Sequence, residues 1–298
     1  MADWTGRSGG NALGWKLVLA VLSILGRRFA YGVATLVAAF YLLKGPSPGL
    51  RAYFDRVLPG VPLRVATWRL YRNFAIALID RLAFLLKGPL QFRYRYEGLE
   101  HLRDIFSRPG GAILLSSHHG NIEIIHSGTG KSDKVRRVKI LRFEAQGDHG
   151  RAVFSQLPDT WKPEIIAVNG TEGFSTLSVL RSLRDGSIIA MHADRLVDDR
   201  SVEVDFFGGT AELPSGPWLL AALARVPVVE VECRKVDRDL CEVTIRPPYE
   251  VQLDRSRPRA DQLRDYAAAW ARRLEDSVRK SPYEWYNFHP FWKGPPSA

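Results

Sequence analysis

The feature that most constrains this chain is an alternation of strand-like and helix-like segments, which begins near residue 92 and continues to residue 280. Short apolar or alternating runs, typical of β-strands, cover residues 92–96, 112–117, 165–168, 187–191, 202–207, 226–232 and 241–246. Helical periodicity covers residues 176–183, 217–225 and 259–280. Strands that alternate with helices predict an α/β fold, with a mixed, mainly parallel central sheet flanked by helices.

The N-terminal part has a different pattern, in which two apolar runs, residues 17–25 and 29–43, are separated by Arg27 and Arg28. Neither run reaches the roughly 18–20 apolar residues that a membrane-spanning helix needs. Residues 64–87 add a segment in which aromatic and aliphatic side chains are interleaved with arginines. Helices of this kind lie in the membrane interface, or they pack on the protein's own core. We favour the membrane interface.

The charge of the chain also favours an anionic partner. Lysine and arginine number 42 against 32 acidic residues, a net charge of +10, which suits anionic membrane lipid, nucleic acid or an acidic carrier protein. The basic residues are scattered and match no nucleic-acid motif, so we expect no nucleic-acid partner. Cys233 and Cys241 are too few for a disulfide framework or a zinc cluster. We predict a membrane-associating helical region over residues 1–90 and a cytosol-facing α/β domain over residues 91–298.

A histidine-rich stretch over residues 116–126 follows the buried strand at 112–117. In open α/β sheets, ligands bind at the carboxyl ends of the strands. Residue types alone leave three interpretations open. The first is a metal site on one helical face, and the second is a polar helix start. The third is a dyad in which a histidine accepts a proton from a hydroxyl and a carboxylate supports it. The metal site would use His119, Glu123 and His126.

Helical spacing alone pairs His119 with Glu123, whereas His118 reaches Glu123 only from a turn before the helix. The string Ser-His-His-Gly-Asn-Ile-Glu over residues 117–123 resembles the His-x4-Glu motif of the lipid A biosynthesis (lauroyl/myristoyl) acyltransferase family, within the lysophospholipid acyltransferase superfamily. In this register His118 is the motif histidine. His119 replaces the usual aromatic residue, and Ile122 replaces the usual tryptophan.

Further blocks match the same family in the same order. They are Ala-Asp-Arg over residues 193–195, Val-Asp-Phe-Phe-Gly over 204–208, Ala-Glu-Leu-Pro-Ser-Gly-Pro over 211–217 and the aromatic ending over 282–292. The resemblance therefore spans most of the chain, and it implies a glycerolipid acyltransferase-like α/β fold.

The resemblance implies a membrane-associated O-acyltransferase on the cytosolic face of the inner membrane. Such an enzyme moves a fatty acyl group from an acyl thioester, carried by acyl carrier protein or CoA, to a hydroxyl of a lipid A-like or other glycolipid or phospholipid acceptor. His118 is then the general base, and Glu123 stabilises its imidazolium. The thioester is a co-substrate, and neither a resident cofactor nor a metal ion is implied. The alternative function is a catalytically inert membrane-binding protein that retains the fold.

The resemblance also implies which residues bind substrate. Arg142 stands where the family often has an arginine that engages the acceptor, and Arg195, held by Asp194, would face a substrate phosphate. The alternative for both arginines is an internal ion pair. Apart from the resemblance, the backbone N–H groups at the helix start near Gly120 and Asn121, and those before Trp218, are candidates to bind the oxyanion, where a well-aimed donor contributes about 3 kcal/mol.

Overall fold

A computed structural model describes residues 12–128, 138–143, 164–168, 176–196 and 200–293. The helices are α1 (Ala12–Ile24), α2 (Arg27–Leu43), α3 (Leu50–Val57), α4 (Leu63–Lys87), α5 (Leu99–Ser107), α6 (Ile122–Gly128), α7 (Thr176–Arg184), α8 (Gly216–Ala224) and α9 (Arg259–Lys280). The strands are β1 (Arg93–Glu97), β2 (Ala112–Ser116), β3 (Val138–Phe143), β4 (Glu164–Val168), β5 (Ile188–His192), β6 (Ser201–Phe206), β7 (Gly209–Pro214), β8 (Val228–Lys235) and β9 (Leu240–Ile245).

Seven of these strands form one sheet in the order β1-β9-β8-β2-β5-β3-β4. Neighbouring strands in this sheet are parallel, except for β8 and β9, which a short turn joins as an antiparallel hairpin. Strands β6 and β7 form a separate antiparallel hairpin that packs on α9. The predicted mixed, mainly parallel sheet with flanking helices is therefore confirmed.

Strand β2 lies at the centre of the sheet and is buried along its length, because hydrophobic clusters cover both of its faces. Ile113 and Leu115 belong to a cluster that includes α7, α8, α9 and the C-terminal aromatic segment. Ala112 and Leu114 belong to a second cluster, which includes α1, α2 and α4. Both clusters combine side chains from either side of residue 90, so the N-terminal helices contribute to the core of the sheet. The division at residue 90 stays a prediction.

The predicted elements agree with the structure to within a few residues at their ends, and α9 begins and ends where the periodicity predicts. Sequence reasoning missed α3, α5, β3 and β7. The block over residues 211–217 is identified only by its resemblance to a family block that leads into a helix. In the structure, β7 covers the first part of this block and pairs with β6 across a tight turn. Phe207 and Gly208 form that turn with φ values of 50° and 67°, as a two-residue hairpin requires.

The two arginines between the apolar runs have different environments. Arg27 is turned inward, with its guanidinium 4.4 Å from the centroid of the Phe92 ring and 4.0 Å from the Asp80 carboxylate. Arg28 is exposed. Large apolar side chains are also exposed along α1, α2 and the turn between them, namely Leu13, Leu17, Ile24, Leu25, Phe29, Leu36, Phe40 and Leu43. Among the described residues, no helix has both the length and the hydropathy needed to cross a bilayer.

Candidate active site

The motif histidine lies on the connection between β2, which ends at Ser116, and α6, which begins at Ile122. Gly120 makes this connection possible, because its φ of 68° is left-handed and a Cβ there would lie 2.0 Å from the carbonyl oxygen of Cys233. His118 is therefore outside the helix, at the carboxyl end of the central strand.

The His118 ring is held by Asp194, which follows strand β5. Strands β2 and β5 pair in parallel with Ser116 opposite His192, so the residues two positions beyond each strand end lie side by side. The Nδ1 atom of His118 lies 2.8 Å from one carboxylate oxygen of Asp194. The other oxygen accepts hydrogen bonds from the His118 backbone N–H and from the Trp285 indole N–H, each at 2.9 Å. Asp194 is fully buried.

Glu123 has different partners from those that the dyad interpretation predicts. Its carboxylate accepts a hydrogen bond from Arg142 at 3.0 Å and forms an ion pair with Arg81 at 3.1 Å. Burial alone would raise the pKa of Glu123, but the two guanidinium groups hold that pKa well below its usual range. The carboxylate on Nδ1 of His118 is therefore that of Asp194, and the expectation that Glu123 directly supports His118 is corrected. The reason is geometric, because Glu123 is in the first turn of α6 and its side chain contacts α4 and β3.

His192 lies against both His118 and Glu123, and sequence reasoning missed it. Its ring centroid lies 4.1 Å from that of His118. Its Nε2 atom lies 3.5 Å from Glu123, and its Nδ1 atom lies 2.9 Å from the hydroxyl of Ser116. The available signal was its position at the carboxyl end of the predicted strand beside β2, but that adjacency depends on the strand order.

The electrostatics favour a neutral His118 beside an ionised Asp194. Burial, followed by the positive charge of Arg195, lowers the pKa of His118 to about 4, although Asp194 acts in the opposite direction. Burial would raise the pKa of Asp194, but His118 and Arg195 hold it well below its usual range. At neutral pH, Nδ1–H of His118 donates to Asp194, and Nε2 is left as the basic atom.

The predicted substrate arginines both have internal partners. Arg142, within β3 rather than after it, is paired with Glu123 as described above. Arg195 donates a hydrogen bond to the backbone carbonyl of Tyr286 at 2.6 Å. Arg81 belongs to the segment 64–87, for which we expect the membrane interface, yet its side chain is largely buried in the site and pairs with Glu123. Arg81, Arg142 and Arg195 therefore place three positive charges near the carboxylates of Glu123 and Asp194.

The predicted oxyanion donors are already in use. The backbone N–H of Gly120 donates to the carbonyl of Glu284 at 2.8 Å, and that of Asn121 donates to the carbonyl of Cys233 at 2.7 Å. The Asn121 side chain donates to buried Asp80 at 2.8 Å. Both N–H groups are thus engaged by carbonyls of β8 and the C-terminal segment, and the binding of an oxyanion by Gly120 and Asn121 stays a prediction.

The predicted metal-ligand set does not assemble around His119. That residue is buried, and its Nε2 atom donates to the carbonyl of Ser281 at 3.1 Å, whereas Glu123 faces the arginines. The side chain of His126 lies outside the described residues. A different set of ligand atoms does lie within 4.8 Å of one another, those of His118, His192 and Asp194. Because His118 and Asp194 share a hydrogen bond within this set, we interpret it as acid–base machinery.

Comparisons with known proteins show what the chain as a whole is similar to. The family model described as bacterial lipid A biosynthesis acyltransferase matches residues 13–294. A phosphatidylinositol mannoside acyltransferase of Mycolicibacterium smegmatis is 24% identical over 288 residues, which cover 95% of this chain and 90% of that protein. A protein of the same name from Mycobacterium tuberculosis H37Rv is 23% identical over 197 residues, 65% of this chain and 58% of that protein. The crystal structure of the 1-acyl-sn-glycerophosphate (LPA) acyltransferase PlsC from Thermotoga maritima aligns over 90% of this chain and 94% of that one, with 13% identity and a TM-score of 0.41.

Proposed function

This chain belongs to the bacterial lipid A biosynthesis acyltransferase family, and we propose that it transfers a fatty acyl group from an acyl thioester to a hydroxyl of a membrane glycolipid. An acyltransferase of the lipid A, glycolipid or phospholipid type is what the family and the relatives support. The donor in our proposal is acyl carrier protein or CoA carrying the acyl group. The names of the relatives favour a phosphatidylinositol mannoside-like acceptor, and a lipid A-like acceptor is the alternative.

In the proposed reaction, the acceptor hydroxyl loses its proton to Nε2 of His118 as its oxygen attacks the thioester carbonyl carbon. The tetrahedral intermediate then collapses, the carbon–sulfur bond breaks, and the imidazolium returns the proton to the leaving thiolate. Asp194 holds the reactive tautomer through Nδ1 and stabilises the positive charge that forms on the ring. This hydrogen bond from a partly exposed histidine to a buried carboxylate, at the carboxyl edge of the sheet, is the observation that carries the proposal.

In this proposal Glu123 acts on the reaction indirectly, through neighbouring side chains. Its carboxylate faces His192, whose ring lies against that of His118, so Glu123 reaches the base only through this second ring. The same carboxylate orients Arg81 and Arg142, which supply positive charge next to the developing oxyanion. The dyad of His118 and Glu123 that the family motif implies thus becomes a network, with Asp194 as the direct partner of the base.

The proposal includes attachment to the cytosolic face of the inner membrane. The exposed apolar side chains of α1 and α2 support it, because a continuous apolar surface of this kind is unfavourable in water. The net charge of +10 favours anionic lipid.

Thiol release from purified protein tests the proposal. With an acceptor lipid present, we expect the full chain to release free thiol from acyl-CoA or acyl carrier protein, and His118→Gln to lower the rate at least about a hundredfold. His119→Gln is the matched control, because its ring contacts a backbone carbonyl outside the reacting network. A wild-type protein that binds vesicles but releases no thiol from either donor would identify the inert membrane-binding alternative.

A further inference from the structure

A cavity of about 480 Å³ lies between the N-terminal helices and the sheet. It lies beside residues 118–123, which we call the catalytic segment because they include the proposed base. Helices α2 and α4 form two of its walls, the turn between β8 and β9 forms the third, and the C-terminal segment closes it. Its volume is within the range of small-ligand pockets. None of the groups that line it takes part in the proton transfer proposed above.

Exposed guanidinium groups line this cavity, together with one exposed carboxylate, that of Asp237. Arg28, Arg72 and Arg238 come from three different elements and are exposed at the lining. Among the described residues, no acidic side chain forms an ion pair with any of them. Lys235 differs, because its ammonium group is tied to buried Asp80. Unpaired arginines that converge on one cavity are suited to a phosphate, which accepts paired hydrogen bonds from a guanidinium.

Glu284 adds an unpaired acceptor to the same cavity. Its Oε2 atom is buried and has no hydrogen-bond partner among the described residues. Burial raises the pKa of this carboxyl to about 7, so at neutral pH the group carries only part of a negative charge. A buried carboxyl oxygen without a donor costs free energy, which a ligand hydroxyl would offset.

The cavity also contacts the catalytic segment directly. Asn121, which lies between His118 and Glu123 in the motif, is part of the lining. Tyr286 lines the cavity as well, and its backbone N–H donates to the carbonyl of His118 at 3.0 Å. A ligand in the cavity therefore lies against the segment that carries the base.

We propose that this cavity binds a phosphate ester that also carries hydroxyl groups, with Arg28, Arg72 and Arg238 on the phosphate and Glu284 on a hydroxyl. The identification of that ester as part of a substrate rests on the proposed function. Two sources have this chemistry: the phosphorylated sugar or inositol headgroup of the acceptor, and the phosphopantetheine arm of the donor.

Calorimetric titration of the full chain in detergent tests the site without any need for turnover. The probes are myo-inositol 1-phosphate, 4′-phosphopantetheine and unphosphorylated myo-inositol. We expect one phosphate ester to bind and myo-inositol to bind at least tenfold more weakly, and the ester that binds identifies the source. Binding of neither ester, or equal binding of myo-inositol, would overturn the proposal.

Two cavity variants and one control variant test whether the ester binds in this cavity. The double variant Arg28→Gln, Arg72→Gln removes exposed charges, and we expect it to weaken binding of the ester at least tenfold. Gly32→Phe fills the cavity, because a Cβ at Gly32 on α2 meets no atom within 4 Å, and it should abolish binding. Arg103→Gln removes an exposed charge on α5, away from the cavity, and should leave the dissociation constant unchanged. Unchanged binding in both cavity variants, with melting temperatures equal to that of the wild type, would contradict the site.

Steady-state kinetics separate this inference from the proposed function. We expect the double variant to raise KM for the substrate that carries the bound ester at least fivefold, with kcat within twofold of the wild type, because the site contributes binding rather than chemistry. Ester binding by a protein that transfers no acyl group would retain the cavity site and contradict the proposed function. Acyl transfer with no change in either KM would contradict the cavity site and retain the function.

Discussion

At the scale of single residues, two carboxylates near His118 hold different groups. Asp194 binds the ring nitrogen and the backbone of His118, whereas Glu123 binds Arg81 and Arg142. The family register identifies His118 and Glu123 as the motif residues. It does not reveal the partner of His118, the proposed base, because Asp194 is 76 residues away along the chain. The pairing depends on β2 and β5 being neighbours in the sheet, and local spacing contains no information on strand order.

We expect Asp194→Asn to lower kcat at least about a hundredfold, because an amide no longer stabilises the imidazolium or fixes its tautomer. The variant should remain folded in circular dichroism, since the amide nearly preserves the shape of the side chain. A kcat within tenfold of the wild type would show that Asp194 is only a structural partner of His118.

The acid limb of kcat/KM should lie near pH 4 rather than near the ordinary histidine value of about 6.5. Burial and Arg195 disfavour the protonated ring, so the neutral base persists as the pH falls and is lost only near its own pKa. Because Asp194 raises the pKa of His118, its removal in Asp194→Asn should shift the ring titration to still lower pH. The pH profile of kcat/KM gives the acid limb, and histidine proton NMR gives the ring titration in the wild type and in Asp194→Asn. An acid limb near pH 6.5 would contradict the assigned environment.

For Glu123→Gln we expect at least a tenfold loss of kcat with the acceptor KM nearly unchanged, because the charge acts mainly in the transition state. The variant also leaves Arg81 without its carboxylate, which should lower the free energy of unfolding by about 1–3 kcal/mol. Activity of the wild type should survive treatment with chelators. A normal kcat in Glu123→Gln would reduce this residue to a structural role, and a chelator-induced loss that zinc restores would favour a metal site.

At the scale of elements, one buried carboxylate connects the N-terminal helices to the sheet. Asp80 on α4 accepts hydrogen bonds from Tyr31 on α2, Lys235 on β8 and Asn121 in the catalytic segment. Sequence reasoning predicted these helices from their apolar runs and assigned their charges to the membrane interface. The inward contacts of Asp80 and Arg27 could not be predicted, because a polar side chain within an apolar helix gives no sign of which surface it faces until its packing partner is known.

Replacement of Asp80 by Asn should lower the free energy of unfolding by about 3–5 kcal/mol, since the largely buried ammonium group of Lys235 loses its ion-pair partner. The double variant Asp80→Asn, Lys235→Met should recover part of this loss, because it removes the unpaired charge. Denaturant titration in detergent measures these values, with Arg103→Gln expected within about 0.5 kcal/mol of the wild type. A loss below 1 kcal/mol in Asp80→Asn would contradict the role of this contact.

At the scale of the whole molecule, the α/β alternation predicted the sheet well because the strands are either continuous apolar runs or clear alternations. The C-terminal hairpin formed by β8 and β9, the only antiparallel pair among the described neighbours of the large sheet, is compatible with the pattern but not demanded by it. The placement of α1, α2 and α4 against the sheet is also a tertiary property. What remains exposed on α1 and α2 is the surface that we expect to meet lipid.

We expect the triple variant Leu36→Asp, Phe40→Asp, Leu43→Asp to be released from anionic vesicles that retain the wild type. Burial of apolar side chains in the interface contributes roughly 0.8 kcal/mol per CH₂ group, and charges repel the interface. High salt should release little wild-type protein, because the apolar contribution persists when charges are screened. Sedimentation with vesicles measures both effects, and wild-type protein that stays soluble at low salt without detergent would contradict attachment.

The central claim is that His118 activates an acceptor hydroxyl for direct attack on an acyl thioester. Mass spectrometry of the lipid and of the intact protein after incubation with acyl-CoA or acyl carrier protein tests it most directly. We predict an acyl ester on the glycolipid with wild-type protein, none with His118→Gln, and no acyl adduct on the protein when the acceptor is omitted. An ester formed by His118→Gln at the wild-type rate, or an acylated protein that passes its acyl group to the lipid, would contradict the account.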